Sequence, residues 1–175
     1  IYSTIQFTYA DDVSNSDLLH GLTPTVTGWQ YGGNAHPNEL TDGIHGLGYG
    51  ADPGDLVQGA WTTVGATAEY HLGTGANGTG YDITSVASIA AWENVGFGNQ
   101  AWTLEVKPVG GSYSTLATVF YQPLGAGGAT KITLSDPGGV LATGIEYIKV
   151  TAHEVNGGAN AGAFVWRELD VFGTP

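Results

Sequence analysis

The chain has 175 residues and a formal net charge of −12, with four basic residues against sixteen acidic ones. Nucleic acids and anionic membrane surfaces would repel such a chain, because binding to them requires clustered Lys and Arg. The absence of Cys excludes disulfides, thiolate catalysis and cysteine-based zinc sites. We therefore expect a partner that is either uncharged or a cation.

The length and the glycine content predict one domain with very little helix. A chain of this length is sufficient for one sizeable core and short for two, so residues 1–175 are assigned to a single domain. With 29 Gly and 7 Pro along the chain, turns must be frequent. The sequence contains no run of about 18 apolar residues, the length that a membrane-spanning helix needs. The start at Ile1 rather than Met predicts signal-peptide removal and an extracellular protein.

Eight segments alternate apolar and polar residues, as strands with one buried face do. In chain order they are residues 1–9, 60–72, 83–92, 102–108, 115–121, 129–134, 146–153 and 163–172. Turns rich in Gly or containing Pro separate them, and no segment reads as a βαβ crossover. The pattern predicts an all-β fold, an antiparallel sandwich of eight strands.

Residues 11–59 form a long loop region between the first two predicted strands. The stretch has little regular period and many turn-forming residues, and so long a loop in a compact domain usually has a function or is held by other parts of the protein. Its apolar residues are Leu18, Leu19, Leu22, Trp29, Tyr31, Ile44, Leu47 and Tyr49. Either these side chains fold back on the sandwich, or other copies of the chain cover them.

Residues 73–78, GTGANG, match the GxGxxG pattern of nucleotide-binding loops. A phosphate-binding loop of that type needs a helix after the glycines. The residues after Gly80 are instead rich in β-branched side chains, which favours a strand. We interpret the segment as a turn, since Asn77-Gly78 suits tight turns. Asn77-Gly78-Thr79 is also a sequon for N-glycosylation of Asn77.

A series of short motifs carries a family resemblance. They are LTDG at 40–43, Trp61, EYHLG at 69–73, WTLEV at 102–106, GIEYIKVTAHEV at 144–155 and FVWRELDVFG at 164–173. In this order they resemble galactose-binding-like domains, also known as discoidin or coagulation factor type C domains, over roughly residues 39–173. The resemblance implies an eight-stranded jelly-roll sandwich. Many such domains bind carbohydrate, and many hold one structural calcium ion.

The resemblance also implies a calcium site between the long loop and the last strand. Its ligands would be the carboxylates of Asp42 and Glu168, with backbone oxygens near Leu40 and His45. Oxygen donors of this type suit Ca²⁺, which takes about six to eight of them. In the alternative interpretation Asp42 caps a turn, while Glu168 pairs with Arg167 or lies exposed.

Sugar binding requires an exposed aromatic ring for stacking and nearby amide, carboxylate or imidazole groups. Loop residues that supply such groups form two sets, Trp29, Tyr31 and His36 in the long loop, and Trp92, Asn94 and Asn99 in the WENVGFGNQ stretch. In the family that the chain resembles, the ligand lies on loops at one end of the sandwich, which the second set would occupy. In that family the sugar site usually has an Arg or a His beside the aromatic ring. The only Arg of this chain, Arg167, falls in the last predicted strand and not in these loops.

No GxSxG, P-loop or HExxH motif is present, so we predict a protein that is not an enzyme. The scarcity of Lys and Arg lowers the desolvation cost of broad subunit contacts. This favours an extracellular structural subunit that self-assembles with copies of itself into a filament, tube or surface layer, stabilised by calcium. The alternative is a carbohydrate-binding module that recognises neutral glycans, because one fold serves both functions.

Overall fold

The computed structural model describes residues 2–7, 13–29, 37–44, 60–62, 64–92, 96–156 and 164–175. Six residues singled out in the sequence lie outside these ranges, namely Tyr31, His36, His45, Leu47, Tyr49 and Asn94. Within the described ranges the protein is almost entirely β, with ten strands and one 3₁₀ helix, Pro37–Thr41. No helix in these ranges is long and apolar enough to cross a membrane.

The strands agree closely with the sequence pattern. They are β1 (Tyr2–Phe7), β2 (Thr25–Thr27), β3 (Ala60–Trp61), β4 (Thr67–His71), β5 (Tyr81–Trp92), β6 (Gln100–Pro108), β7 (Ser114–Tyr121), β8 (Gly128–Ser135), β9 (Ala142–Ala152) and β10 (Val165–Thr174). Each of the eight predicted segments contains strand, and the segment 60–72 divides into β3 and β4. The short strand β2 has no predicted counterpart.

The strands pair in two layers, and all pairings of the described residues are antiparallel. The first layer has the order β3-β10-β5-β8-β1, and the second has the order β2-β4-β9-β6-β7. The layers are joined where Tyr81 and Ile83 of β5 pair with Ile145 and Ala142 of β9. The predicted all-β sandwich is therefore confirmed.

The core lies between the two layers. Strand β6 contributes the alternating side chains of Trp102, Leu104 and Val106, which are 0–5% exposed. Trp166 of β10 meets Trp102 across the core, with ring centroids 5.6 Å apart. Because alternate residues of a strand point to opposite faces, Thr103, Glu105 and Lys107 are left on the outer face of the second layer.

A network of polar side chains is enclosed in this core around Gln100. Its Oε1 accepts hydrogen bonds from Ser88 Oγ at 2.5 Å and from Trp102 Nε1 at 3.0 Å. Its Nε2 donates to the backbone oxygens of Ser88 and Thr130 at 3.2 and 2.9 Å. Trp166 Nε1 donates to Ser88 Oγ at 2.9 Å. The network therefore links β5, β8 and β10 of the first layer to β6 of the second.

The described part of the long loop packs on the open edge of β10. Leu18 N donates to Val171 O at 2.7 Å, and Asp17 Oδ1 accepts a hydrogen bond from Val171 N at 3.2 Å. The loop residues in or against the core are Leu18, Leu19, Leu22, Trp29 and Leu40. The sandwich of the same chain covers these side chains, so they need no second copy.

Residues 72–80 connect β4 to β5, and a strand rather than a helix follows the glycines. The interpretation of GTGANG as a turn is therefore confirmed. Asn77 is exposed in this turn, and its Oδ1 accepts a hydrogen bond from Thr79 N at 2.9 Å. Glycosylation of Asn77 stays a prediction.

Candidate functional site

Several loops meet at the end of the sandwich where β5 and β7 end and β6 and β8 begin. Asn99 joins two of them, because its Nδ2 donates to Leu124 O and its Oδ1 accepts from Leu124 N, both at 2.9 Å. The same Nδ2 lies 3.4 Å from Asn156 O. Residues 93–95 and 157–163 lie outside the described ranges, but the residues that flank them are held next to each other here. We refer to this region as the loop end.

A small hydrophobic cluster underlies the loop end. It consists of Trp92, Phe97 and Val165, and Val165 N donates to Phe97 O at 2.8 Å. The guanidinium of Arg167 lies 5.8 Å from the centroid of the Trp92 ring, and its Nε donates to Ala91 O at 3.0 Å. Packing and hydrogen bonds together give the loops a firm base.

The structure corrects part of the predicted set of sugar contacts. Trp92 is 6% exposed and Asn99 is fully buried, so neither presents a surface to a ligand, and both support the loops from below. Trp29 is half-buried against the core, with Nε1 donating to Thr67 O at 2.8 Å. Tyr31, His36 and Asn94 lie outside the described residues.

A second polar group lies on β10 beneath the long loop. Glu168 and Asp170 are only 1% and 2% exposed. Glu168 Oε1 accepts a hydrogen bond from Gly43 N at 3.3 Å, and Asp170 Oδ2 accepts one from Ser14 N at 3.1 Å. A register shift between Trp166 and Glu168 turns Glu168 away from the core, as a β-bulge does. The two carboxyl groups therefore face the loop from one side of the strand.

Asp17 brings a third carboxyl group from the loop. One oxygen of each of the three groups accepts a backbone N–H. The other oxygens, Asp17 Oδ2, Glu168 Oε2 and Asp170 Oδ1, are buried and have no hydrogen-bond partner among the described residues. A buried carboxylate without a partner is costly, so these groups require either protons or a cation. We call Asp17, Asp42, Glu168 and Asp170 the acidic cluster.

Burial governs the protonation of this cluster. Desolvation, followed by the charges of Asp170 and Asp42, raises the pKa of Glu168 to about 10, against the hydrogen bond from Gly43. Desolvation also raises the pKa of Asp170 to about 7, opposed by the hydrogen bond from Ser14. Without a cation, Glu168 is therefore protonated at neutral pH.

We expect the protein in EDTA to lose stability as the pH rises from about 4 to about 7. Between the ordinary value of 3.8 and the folded-state value of about 7, folded Asp170 keeps a proton that the unfolded chain releases. The contribution of Asp170 to the free energy of unfolding is therefore fully present below the unfolded-state pKa. It decreases as the pH rises and is gone above the folded-state pKa, with a slope of at most about 1.4 kcal/mol per pH unit. Urea unfolding at several pH values measures the slope, and Asp170→Asn should reduce it. A slope that is flat or positive for the wild type would contradict this assignment.

Asp42 is held in the acidic cluster by the next residue, Gly43, whose backbone N–H donates to Glu168. Gly43 has a φ of +79°, and a Cβ added there would lie 3.0 Å from Asn15 Cβ, so glycine allows this N–H to reach Glu168. Asp42 Oδ1 accepts a hydrogen bond from Ile44 N at 2.8 Å, as the turn-capping alternative requires. The alternative of an exposed Glu168 is wrong.

The acidic cluster fits a hard cation in part. Asp42 and the unpaired Oε2 of Glu168 offer carboxylate oxygens, and Leu40 lies in the adjacent 3₁₀ helix. No three Asp, Glu or His side chains of the described ranges are arranged around a metal position, so backbone oxygens would have to complete the shell. His45, the remaining predicted position, lies outside those ranges. Calcium stays a prediction.

Solved structures resemble the fold along most of its length. A family 32 carbohydrate-binding module from Clostridium perfringens, in complex with GalNAc-β-1,3-galactose, matches with a TM-score of 0.57 and 17% identity over 87% of this chain and 95% of that chain. The family 32 module of NanJ from the same organism, in complex with galactose, gives a TM-score of 0.52 and 16% identity over 86% and 93% of the two chains. The family 32 module of EndoD from Streptococcus pneumoniae gives 0.60 and 13% over 90% and 99%.

No protein-family model matches the chain, and no curated protein sequence matches it significantly. The structural matches correct the main functional prediction, because these neighbours are carbohydrate-binding modules. Four of the apolar loop residues on which self-assembly was argued, Leu18, Leu19, Leu22 and Trp29, pack in or against the core of the same chain, whereas Ile44 is 47% exposed. The prediction of a self-assembling structural subunit is wrong. The chain has the galactose-binding-like jelly-roll fold, as the order of its motifs implied.

Proposed function

We propose that this protein is a non-catalytic carbohydrate-binding module for neutral glycans. The observation that carries the proposal is the likeness to carbohydrate-binding modules over 86–90% of this chain and 93–99% of theirs. Two of these neighbours are complexes with galactose or a galactose-containing disaccharide. At 13–17% identity the likeness describes the fold, so the ligand must be argued from the site.

The loop end supports this function because its described residues are held together by packing and by side-chain hydrogen bonds. Asn99 and the cluster beneath it fix the flanks of residues 93–95. That segment is Glu93-Asn94-Val95, and its carboxylate and amide are groups that hydrogen-bond sugar hydroxyls. The net charge of −12 disfavours anionic glycans, because like charges repel.

Calcium has a structural role in the same proposal. Asp42 and Glu168 would bind the ion, together with backbone oxygens near Leu40 and His45, and the ion would hold the long loop on β10. The unpaired, buried Oε2 of Glu168 supports this assignment. Extracellular modules bind Ca²⁺ with dissociation constants of about 10⁻⁴–10⁻³ M. We accordingly place the protein outside the cell.

Binding to immobilised neutral glycans tests the function. We expect retention on galactose- or N-acetylgalactosamine-terminated glycans, the sugars held by two of the neighbours, elution by the free sugar, and weaker retention of the same glycans when they carry sialic acid. Asn94→Ala should reduce retention. Asn77→Ala is the matched control, because Asn77 is an exposed Asn at the opposite end of β5. If the wild type binds none of the neutral glycans, the proposed function is excluded.

A further inference from the structure

Phe120 presents an aromatic ring on the outer face of the second layer. It is 63% exposed, whereas its neighbour Val119 is fully buried in the core. Other Phe, Tyr and Trp side chains whose exposure is described are half-buried or buried. Because strand side chains alternate between faces, the same face of β7 carries Thr118. The ring therefore stands next to a polar row of the sheet.

That row consists of uncharged hydrogen-bonding groups. Thr118 pairs with Thr103 of β6, and their hydroxyl oxygens are 3.5 Å apart. Thr103 Oγ1 also lies 2.7 Å from Nε2 of His153, which follows β9. Phe120 pairs with Ala101 in the adjacent row. Two hydroxyl groups and an imidazole therefore lie beside the exposed ring.

The surroundings of the ring are fixed by the protein. Ala101, the cross-strand partner of Phe120, is fully buried and adds no exposed surface beside the ring. We call Phe120, Thr103, Thr118 and His153 the platform. Gln122, two residues further along, accepts a hydrogen bond from Asn156 N at 2.6 Å through its Oε1. Asn99 contacts the backbone oxygen of the same Asn156. The platform is therefore connected to the loop end.

The chemistry of this platform matches a sugar ring more closely than a peptide or an anion. A pyranose has an apolar C–H face that stacks on an aromatic ring, and its hydroxyls pair with neutral donors and acceptors. We propose that Phe120 is the stacking platform of a saccharide subsite, in which Thr103, Thr118 and His153 hydrogen-bond the sugar hydroxyls. The subsite extends the ligand from the loop end along β7 and so selects neutral oligosaccharides over monosaccharides. This inference rests on the proposed function.

Calorimetric titration with galactose, with GalNAc-β-1,3-galactose and with a neutral galactose-terminated tetrasaccharide tests the subsite. Phe120→Ala should weaken tetrasaccharide binding about tenfold or more, equivalent to about 1.4 kcal/mol, and Phe120→Trp should retain it. Thr103→Val should also weaken it. Val140→Ala is the control, since Val140 is 40% exposed in the turn between β8 and β9, and should leave affinity unchanged.

The outcomes separate this inference from the proposed function. If the wild type binds and Phe120→Ala binds equally tightly, the subsite is excluded while carbohydrate binding stands. If the wild type binds none of the three saccharides, the subsite is excluded, and the proposed function is excluded as well when no immobilised neutral glycan retains the protein. Phe120→Ala should melt like the wild type, because the ring is largely exposed. Ring protons of Phe120 should also give nuclear Overhauser effects to the bound tetrasaccharide, and their absence from a saturated complex would overturn the contact.

Discussion

Transfer of the protein from 10 mM CaCl₂ to EDTA at pH 7.5 should lower its melting temperature by about 5–10 °C. With a dissociation constant of about 10⁻⁴ M, 10 mM Ca²⁺ stabilises the folded state by about 2.7 kcal/mol. For a chain of this size each kcal/mol corresponds to about 2–4 °C. Differential scanning calorimetry measures the shift. The proposed cause is a Ca²⁺ ion that binds between Asp42 and Glu168 in the folded protein and is released on unfolding.

The calcium effect should also depend on pH. Glu168 has a pKa raised to about 10 by its burial and by neighbouring carboxylates, so Ca²⁺ must displace a proton to bind there. Calcium affinity therefore rises with pH, and the melting shift should be larger at pH 8 than at pH 6. The calcium-free protein has the opposite trend, since buried Asp170 favours low pH.

The Glu168→Gln variant tests whether Glu168 binds a cation or is only a structural carboxyl group. The substitution keeps the size of the side chain and removes its ability to ionise, so the response to Ca²⁺ should disappear. In EDTA this variant should match the wild type, where Glu168 is already protonated. Glu154→Gln removes an exposed carboxylate and should leave the response intact. Identical melting temperatures of the wild type with and without Ca²⁺ would exclude the site.

The main strands were predictable because each has one face in a common core. In β6 the order Trp102, Thr103, Leu104, Glu105 alternates between core and outer face, and this period is visible in the sequence. Strand β2 has all three residues exposed, and β3 has only two residues. Such short strands form through pairing with β4 and β10, and no local pattern encodes that pairing.

Contacts between distant residues explain what the sequence did not reveal about the site. Asn99 looked like a loop residue open to a ligand, but its side chain is satisfied by Leu124 and Asn156, 25 and 57 residues away. Asp17 meets Val171 across 154 residues, and this contact holds the described part of the loop on β10 of the same chain. By contrast, Glu168 and Asp170 are two positions apart in β10, and residues with that spacing in a strand share a face, so the sequence pattern indicates their common side. The bulge that redirects Glu168 was not.

The core network predicts the largest loss of stability from one polar side chain. Gln100→Leu should reduce the free energy of unfolding by about 3–5 kcal/mol, because Trp102 Nε1 and the backbone oxygen of Thr130 lose their Gln100 partner within the core, at about 1–3 kcal/mol for each unsatisfied group. The hydroxyl of Ser88 loses its acceptor as well. Urea unfolding of the variant and the wild type measures the difference.

Gln122→Leu is the matched control for this substitution. Gln122 also makes two side-chain hydrogen bonds, to Glu154 O and from Asn156 N, but it does so near the surface. Water can replace those bonds, so the control should cost about 1 kcal/mol or less. If Gln100→Leu proves as mild as Gln122→Leu, the buried network does not hold the layers together.

Gln100→Glu distinguishes lost hydrogen bonds from lost packing, since it preserves the shape of the side chain. An ionised carboxylate would face the backbone oxygens of Ser88 and Thr130, to which Gln100 Nε2 donates, and burial of that charge is costly. The variant should therefore be less stable than Gln100→Leu at pH 8. At pH 4 the protonated acid can donate one hydrogen bond, so stability should recover toward the wild type. Folding thus binds a proton at this position, and stability must fall as the pH rises above the unfolded-state pKa of Glu, about 4.3. A variant with the same stability deficit at both pH values would show that size, and not hydrogen bonding, is what the core requires at this position.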